Sequence, residues 1–225
     1  METTSQHPLE RWLVQVPVRG VTLEGELAIP ATARGLCIFA QGVGSLRNSQ
    51  RSRWLAQTIR DEISVGTLLV DLLSIREAAL DARTAELRFD VAFLAARVAT
   101  LVLWARTDAR TRDLPVALFA SSTGSAAALV AAADRPDDIR AVVSRGGRPD
   151  LAHEALARVQ APTLLVVGGN DPTILEFNRK ALAAMTCERR LEIVSGADHL
   201  FEEPGKLGEV VRFAAPFLAR HLAHA

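Results

Sequence analysis

Three residues of the types that cooperate in nucleophilic catalysis each follow a predicted strand of this sequence: Ser122, Asp171 and His199. A serine hydroxyl is a poor nucleophile until an imidazole accepts its proton. The imidazole in turn needs a carboxylate, which fixes its tautomer and stabilises its charged form. In a parallel sheet, functional groups gather where the carboxyl ends of the strands meet their loops. We therefore predict one site, in which Ser122 attacks, His199 relays the proton and Asp171 orients the imidazole.

Asp171 and His199 can each be interpreted differently, because other residues could take their roles or they could serve the structure alone. Asp171 lies in a Gly-Asn-Asp-Pro turn, where an aspartate often does no more than cap the following helix. Asp198 is an alternative acid, but it adjoins His199 in sequence, and adjacent residues rarely face each other. The remaining histidines lie near the termini or on a predicted helix and are expected to be surface or structural residues: His7, His153, His221 and His224.

The surroundings of Ser122 predict a sharp turn between a buried strand and a helix. The apolar run Val116 to Ala120 reads as the strand, and an alanine-rich helical segment follows the serine at once. Small residues on both sides, Ala120 and Gly124, suit the close approach of strand and helix. The alternative is a small-residue turn without a catalytic role, of the kind that any α/β protein uses.

Attack on a carbonyl also requires N–H donors for the oxyanion that forms. Our candidates are the backbone N–H of Thr123, directly after the nucleophile, and that of Val43. Val43 lies in the loop Gln41-Gly42-Val43-Gly44, which follows another short apolar strand. Gln41 is in addition a candidate substrate contact.

Strands alternate with helices from Leu36 onward, which predicts a mostly parallel sheet with helices on both faces. Two β-rich runs joined at Arg19-Gly20 predict an antiparallel pair at the N-terminal edge. The predicted strands are Val14–Val18, Val21–Ile29, Leu36–Ala40, Thr67–Val70, Val116–Ala120, Ile139–Ser144, Thr163–Val167 and Arg189–Val194. The predicted helices begin at Asn48 or Ser49, at Ala85, directly after Ser122, and at Leu151, Thr173 and Pro204. The fold class is thus α/β with a sheet of about eight strands.

Residues 1–225 are expected to form a single domain without a separate cap, because no long insertion interrupts the strands. The longest candidate is Ser74 to Thr84, which reads as a polar connection. The predicted site should therefore be comparatively open.

Composition excludes several classes of partner. Lys+Arg and Asp+Glu both number 26, so no net charge attracts nucleic acid or an anionic membrane. The N-terminus lacks the layout of a signal peptide and no apolar run is long enough to span a membrane, which predicts a cytoplasmic protein. Cys37 and Cys187 read as small hydrophobic residues, so neither a metal nor a cofactor is expected. The sequence leaves open the oligomeric state, including a homodimer.

The chain resembles the α/β-hydrolase fold, and within it small capless proteins similar to bacterial dienelactone hydrolases. The nucleophile elbow of that fold is G-x-S-x-G, and its nucleophile, acid and histidine occur in the order found here. The resemblance rests on Ala120–Gly124, Gly44–Arg47 with Arg51–Arg53, Asp71–Leu73, Ser144–Pro149, Gly169–Asp171 and Asp198–Pro204.

The resemblance implies a serine hydrolase of the carboxylesterase type, which cleaves a small ester, lactone or thioester. The chain departs from the pattern at Ala120, which replaces the first elbow glycine, and at Gln41, where a histidine is common. True dienelactone hydrolases use a cysteine nucleophile, whereas this elbow holds Ser122. A second hypothesis is a catalytically degenerate member of the fold that acts as a binding or interaction protein.

Two groups of arginines adjoin the predicted site. Arg47, Arg51 and Arg53 lie beside the Gln41–Gly44 loop, and Arg145 and Arg148 follow a strand. Arginine binds carboxylate or phosphate through paired hydrogen bonds, so Arg145 is a candidate substrate contact. The alternative is that these arginines pair with surface acids such as Asp150.

Overall fold

A computed structural model of the chain describes residues 9–41 and 49–223, with the backbone alone for Gln41. The strands are β1 (Leu9–Val18), β2 (Val21–Pro30), β3 (Leu36–Gln41), β4 (Gly66–Asp71), β5 (Val116–Ser122), β6 (Ile139–Gly147), β7 (Thr163–Gly168) and β8 (Arg189–Val194). The helices are α1 (Gln50–Ile63), α2 (Ile75–Thr84), α3 (Val91–Thr107), α4 (Thr123–Asp134), α5 (Pro172–Ala184) and α6 (Lys206–Leu222).

The eight strands form one sheet in the order β1-β2-β4-β3-β5-β6-β7-β8. β1 and β2 pair antiparallel around the Arg19-Gly20 turn, where Gly20 has a φ of 76°. β2 also runs antiparallel to β4, and the strands from β4 to β8 are parallel. The predicted α/β fold class, the strand number and the antiparallel edge are all confirmed.

Apolar side chains on alternate positions of the central strands fill two separate cores, one on each face of the sheet. Ile38 of β3 belongs to the core under α3 and α4, whereas its neighbour Phe39 belongs to the core under α1 and α6. Phe39 stacks on Phe119 of β5 with ring centroids 4.9 Å apart. Burial on both faces explains why these strands are continuous apolar runs rather than alternating ones.

The prediction that Ser74 to Thr84 is a polar connection is wrong, because residues Ile75–Thr84 form helix α2. Ser74 caps this helix, and Glu77 returns a hydrogen bond to the Ser74 backbone, which completes a capping box. Only Asp81 of this helix is fully buried, so its one buried position carries a charged side chain rather than an apolar one.

The single helix predicted from Ala85 to Thr107 is also wrong in its first turn. Residues Leu87–Phe89 form a short 3₁₀ segment, and α3 begins only at Val91, capped by Asp90. The Asp81 carboxylate accepts hydrogen bonds from the backbone N–H and Nε of Arg88, which fixes the turn before α3.

Several other boundaries differ from the predictions. The helix expected at Leu151–Val159 is a 3₁₀ segment, Pro149–Arg158, broken at His153 where φ is 45°. β1 starts at Leu9 rather than Val14, and α6 at Lys206 rather than Pro204. Ser49 caps α1, whereas Asn48 lies outside the described residues. Within residues 9–41 and 49–223, no helix has both the length and the apolar character that crossing a membrane requires.

Candidate active site

Ser122 lies at the junction of β5 and α4, where the chain changes direction within one residue. Its φ of 51° and ψ of −135° fall in a region that residues other than glycine rarely occupy. Such strained turns persist where the surrounding structure fixes them, and a serine held in this way is the hallmark of a nucleophile elbow. The side chain is partly exposed, whereas Ser121 before it and Thr123 after it are buried.

Asp171 uses its two carboxylate oxygens for two different tasks. Oδ1 accepts a hydrogen bond from the backbone N–H of Ile174 at 3.2 Å, which caps helix α5. Oδ2 lies 2.8 Å from Nδ1 of His199. Asp171 therefore caps α5 and contacts His199 at the same time. The rival acid Asp198 accepts hydrogen bonds from the backbone N–H groups of Leu200 and Phe201, and so shapes the loop after the histidine.

Backbone hydrogen bonds hold the loop that carries Asp171 against the loop that carries His199. The N–H of Gly169 donates to the carbonyl of Val194 at 2.8 Å, and that of Asn170 donates to the carbonyl of Ala197 at 2.9 Å. A Cβ on Gly168 would come within 2.3 Å of the Asp198 carbonyl oxygen. A glycine is thus required here, because the two loops pass closer than any side chain allows.

The end of β6 links Ser122 to His199. Gly147 is the sheet partner of Ser122, whose carbonyl accepts a hydrogen bond of 3.0 Å from the N–H of Arg148. A Cβ on the preceding residue, Gly146, would lie 3.0 Å from the His199 carbonyl oxygen and 3.8 Å from Cε1 of its ring. Gly146 has a φ of 51°, a conformation that glycine adopts without strain. The elbow and the imidazole thus adjoin neighbouring residues of one short segment.

The two candidate oxyanion donors differ in what the structure describes. Thr123 is the first residue of α4, so its N–H has no acceptor within the helix. Val43 lies outside the described residues. Gln41 ends β3 in register with Asp71 of β4 and Ser121 of β5, and its side chain is also outside the described part.

Most of the arginines singled out in the sequence have acidic partners. Arg148 forms a two-pronged ion pair with Asp150, with hydrogen bonds of 2.9 and 2.8 Å. Arg51 pairs with Glu202 in the loop after His199, and Arg53 lies 3.7 Å from Glu26. The surface-pair interpretation is confirmed for Arg148. Arg47 lies outside the described residues.

Arg145 differs from these arginines because it is buried without an acidic partner among the described residues. Its side chain is 5% exposed, lies over the Phe201 ring, and donates from Nη1 to the Leu200 carbonyl at 3.4 Å. Burial, together with the nearby charge of Arg51, lowers the pKa of Arg145 to about 10. The guanidinium therefore lies under the segment that follows His199.

Several buried polar side chains lie beside the elbow, and the sequence did not predict them. The Ser144 hydroxyl donates to the Ser125 hydroxyl at 2.9 Å, and Nδ2 of the fully buried Asn178 donates to the Gly147 carbonyl at 3.0 Å. These contacts connect β6 to two helices, α4 and α5. Hydroxyl and amide side chains inside a helix are not recognisable as buried until the packing is known.

A cleft of about 730 Å³ lies beside this site rather than in it. It runs between the start of α1 and the start of α6, past Arg51, Trp54, Phe201 and Glu202. Ser122, Asp171 and His199 do not line it. Among the described residues, no group of three or more His, Cys, Asp or Glu side chains is arranged to hold a metal ion.

Comparison with solved structures places the chain among known proteins. It is 45% identical in sequence to a crystallised dienelactone hydrolase from Anabaena variabilis, with a TM-score of 0.92 over 96% of this chain and 99% of that one. The chain belongs to the dienelactone hydrolase family. No protein-family model matches this chain.

More distant structures share the fold of this dienelactone hydrolase family member. Est1E from Butyrivibrio proteoclasticus is 15% identical, with a TM-score of 0.77 over 94% of this chain and 99% of that one. A dienelactone hydrolase-like promiscuous phosphotriesterase from metagenomic libraries, P91, is 14% identical with the same TM-score of 0.77, over 95% of this chain and 98% of that one.

A curated protein of Mycobacterium tuberculosis is 44% identical over 222 residues and carries the provisional name phosphoribosyl transferase. The match covers 99% of this chain and 49% of the mycobacterial protein. This chain thus spans about half the length of the curated relatives that it matches.

The two cysteines of this family member lie away from the elbow. Cys37 is buried in β3, and Cys187, which follows α5, is partly buried; both are free thiols. Burial raises the pKa of both thiols, and a thiol that stays protonated is a poor nucleophile. The elbow side chain in this chain is the hydroxyl of Ser122.

Proposed function

We propose that this chain is a serine hydrolase that cleaves a small carboxylic ester, lactone or thioester through an acyl-enzyme intermediate. The observation that carries the proposal is the 2.8 Å contact between Asp171 Oδ2 and His199 Nδ1, beside an elbow that holds Ser122. The names of the structural relatives, dienelactone hydrolase and esterase, support a hydrolase in general. We further propose that the chain acts as one catalytic domain without a separate cap.

The mechanism follows from the hydrogen bond between the acid and the histidine. With Nδ1–H donated to Asp171, the lone pair of Nε2 is available to accept the proton of the Ser122 hydroxyl. The Ser122 oxygen then bonds to the carbonyl carbon, and the imidazolium returns its proton to the departing alcohol or thiol. Water repeats the sequence on the acyl-enzyme, which releases the acid and restores Ser122.

Backbone N–H groups supply the stabilisation of the tetrahedral intermediate in this proposal. Thr123 at the start of α4 is one donor, and the positive end of the helix dipole favours the oxyanion there. Val43 is the second proposed donor, from the loop after β3. Gln41 and Arg145 are proposed substrate contacts, the latter for a polar or anionic part of the substrate.

Ser122→Ala tests the nucleophile directly. The variant should hydrolyse p-nitrophenyl acetate roughly a thousandfold or more slowly than the wild type, because the covalent route is lost. A fluorophosphonate probe should label the wild type at Ser122 and fail to label His199→Ala. Full esterase activity in Ser122→Ala refutes the proposal. A wild-type protein that resists the probe and lacks esterase activity indicates the binding-protein alternative instead.

Pocket shape rather than the catalytic residues decides the acyl group. A panel of esters, lactones and thioesters of graded chain length, assayed as kcat/KM, separates the three substrate classes. The class with the highest kcat/KM, and its loss in Ser122→Ala, would identify the substrate type.

A further inference from the structure

A second cleft, of about 300 Å³, lies between α1 and the β1–β2 hairpin. Ala56 and Leu69 contribute its apolar surface, and its charged residues are Arg11, Glu26, Arg53 and Arg60. We call it the Arg60 cleft. None of the residues assigned to the candidate active site lines it, and its volume is at the lower end of small-molecule sites, which begin at about 300 Å³.

The charges that line the Arg60 cleft do not balance. Three guanidinium groups face a single carboxylate, that of Glu26. Both oxygens of Glu26 are already engaged, because Oε1 is 3.1 Å from Nη1 of Arg11 and Oε2 is 3.7 Å from Nη2 of Arg53. Arg60 forms no ion pair with Glu26 among the described residues, although the charges of Glu26 and Asp61 both act on it. Of the charged side chains that line the cleft, three are positive and one is negative.

Arg60 is the most deeply buried of the three, with only 4% of the residue exposed. Its Nη1 donates to the hydroxyl of Thr67 at 2.9 Å, and its buried Nε has no hydrogen-bond partner in the described part of the chain. The nearest carboxylate oxygen on α1 belongs to Asp61, 3.9 Å from Nε, and that side chain is 61% exposed. Burial, together with the charge of Arg11, lowers the pKa of Arg60.

A buried guanidinium whose nearest carboxylate is 3.9 Å away and mostly exposed is costly, because it loses its hydration and gains only a weak ion pair. Arg60 nevertheless opens onto a cavity that two further guanidinium groups line. Planar guanidinium donors match the oxygens of a phosphate group, and several of them converge where phosphate is bound.

We propose that the Arg60 cleft binds the phosphate group of a small phosphate monoester, held by Arg11, Arg53 and Arg60. The site is distinct from the one at Ser122. Glu26 contacts Arg11 and Arg53, and its negative charge opposes the anion.

Isothermal titration calorimetry with inorganic phosphate, against chloride at matched ionic strength, tests the proposal. The wild type should bind phosphate saturably, and Arg60→Met should weaken binding roughly 10- to 100-fold, as expected for the loss of charge-assisted hydrogen bonds. Glu26→Gln should tighten binding, because it removes the one opposing charge. Ester hydrolysis by Arg60→Met should match that of the wild type.

Two variants keep the test decisive if Arg60→Met fails to fold. Arg11→Met alters a side chain that is 51% exposed, so it should fold and still weaken binding. Arg19→Met, in the exposed turn of the same hairpin, makes the same charge change outside the cleft and should bind as the wild type does. Equal affinities in Arg11→Met and Arg19→Met, or weaker binding in Glu26→Gln, would overturn the proposal.

A comparison of ligands identifies the source of the phosphate. Glycerol 3-phosphate should bind at least as tightly as inorganic phosphate, and glycerol should not bind. Binding to phosphatidic acid vesicles without binding to glycerol 3-phosphate would refute a small-molecule site. Loss of phosphate binding in Ser122→Ala would assign the anion to the candidate active site and would equally refute it.

Discussion

At the scale of single residues, the two carboxylate oxygens of Asp171 make two different contacts. One oxygen caps α5 through Ile174, and the other contacts His199. Serine at an N-cap replaces the first interaction but is too short to replace the second. The two roles can therefore be removed one at a time.

We expect Asp171→Ser and Asp171→Ala both to lose roughly a thousandfold or more in kcat, because His199 loses the carboxylate that orients it. Only Asp171→Ala should also lose the helix cap, at about 1 kcal/mol of the free energy of unfolding. Urea denaturation and p-nitrophenyl acetate hydrolysis measure the two effects on the same samples.

Asp198→Asn is the matched control for this pair, because its amide oxygen can still accept from Leu200 and Phe201. It should retain most of the activity. If Asp198→Asn were inactive and Asp171→Ser active, Asp171 would be a cap alone and Asp198 the acid.

Gly147 shows how closely the chain packs beside the elbow. A Cβ at this position would lie 2.2 Å from the hydroxyl oxygens of both Ser125 and Ser144. We expect Gly147→Ala to lower the free energy of unfolding by about 1–3 kcal/mol, as overpacked cores do. Gly208→Ala, in α6 with open space around the new Cβ, should be neutral or stabilising. Thermal denaturation of the two variants tests this; equal melting temperatures would contradict the packing that we describe.

At the scale of elements, one ion pair joins α2 to α3 next to the carboxyl end of β4. Arg97 of α3 donates to both oxygens of Glu77 in α2 and to the carbonyl of Leu72. Burial alone would raise the pKa of Glu77, but hydrogen bonds from Arg97 and Ser74 outweigh burial and lower it to about 2. The folded state therefore holds this carboxylate ionised at a pH where the unfolded chain has already protonated it.

The free energy of unfolding should therefore decrease as the pH falls through the acidic range. Because the pKa is lowered on folding, the contribution of Glu77 is complete above about pH 4.5 and is lost as the pH falls toward 2, by about 3 kcal/mol in all. We expect Glu77→Gln to destabilise the protein near neutral pH, and the difference from the wild type to shrink steadily below pH 4.5. Denaturation by urea at a series of pH values measures it.

Asp113→Asn removes a charge from a side chain that is 88% exposed and is the control for the charge change itself. Its free energy of unfolding should differ little from that of the wild type across the same range. If the difference in free energy of unfolding between Glu77→Gln and the wild type stayed constant with pH, the ion pair would not be the cause of the pH dependence.

The same region shows where sequence reasoning succeeds and where it fails. The central strands were predictable because burial on both faces demands continuous apolar runs such as Leu36 to Ala40. Helix α2 was missed because Asp81, a charged residue, occupies its buried position, although Ser74 and Glu77 have the spacing of a capping box. The order of Ser122, Asp171 and His199 was visible, but Asn178 and the Ser125–Ser144 pair are recognisable only from packing.

At the scale of the whole molecule, the sheet has a central strand that no local opening should expose. β3 pairs with β4 on one side and β5 on the other, and helices cover both its faces. Cys37 in this strand is fully buried, with Thr67 and Ala117 as its sheet neighbours. Its thiol is thus a reporter of global unfolding.

In a Cys187→Ala background, we expect a thiol reagent to label Cys37 only through complete unfolding, because opening one element leaves the other core in place. The opening free energy from the labelling rate should then equal the free energy of unfolding from urea, and both should shift together in Gly147→Ala. Because Cys187 is only half-buried, it should react faster than Cys37 in the wild type. Labelling of Cys37 well below the global opening free energy would mean that β3 separates from the sheet without the rest of the fold. The Gln41 end of that strand, which leads to the proposed oxyanion donor Val43, would then open on its own.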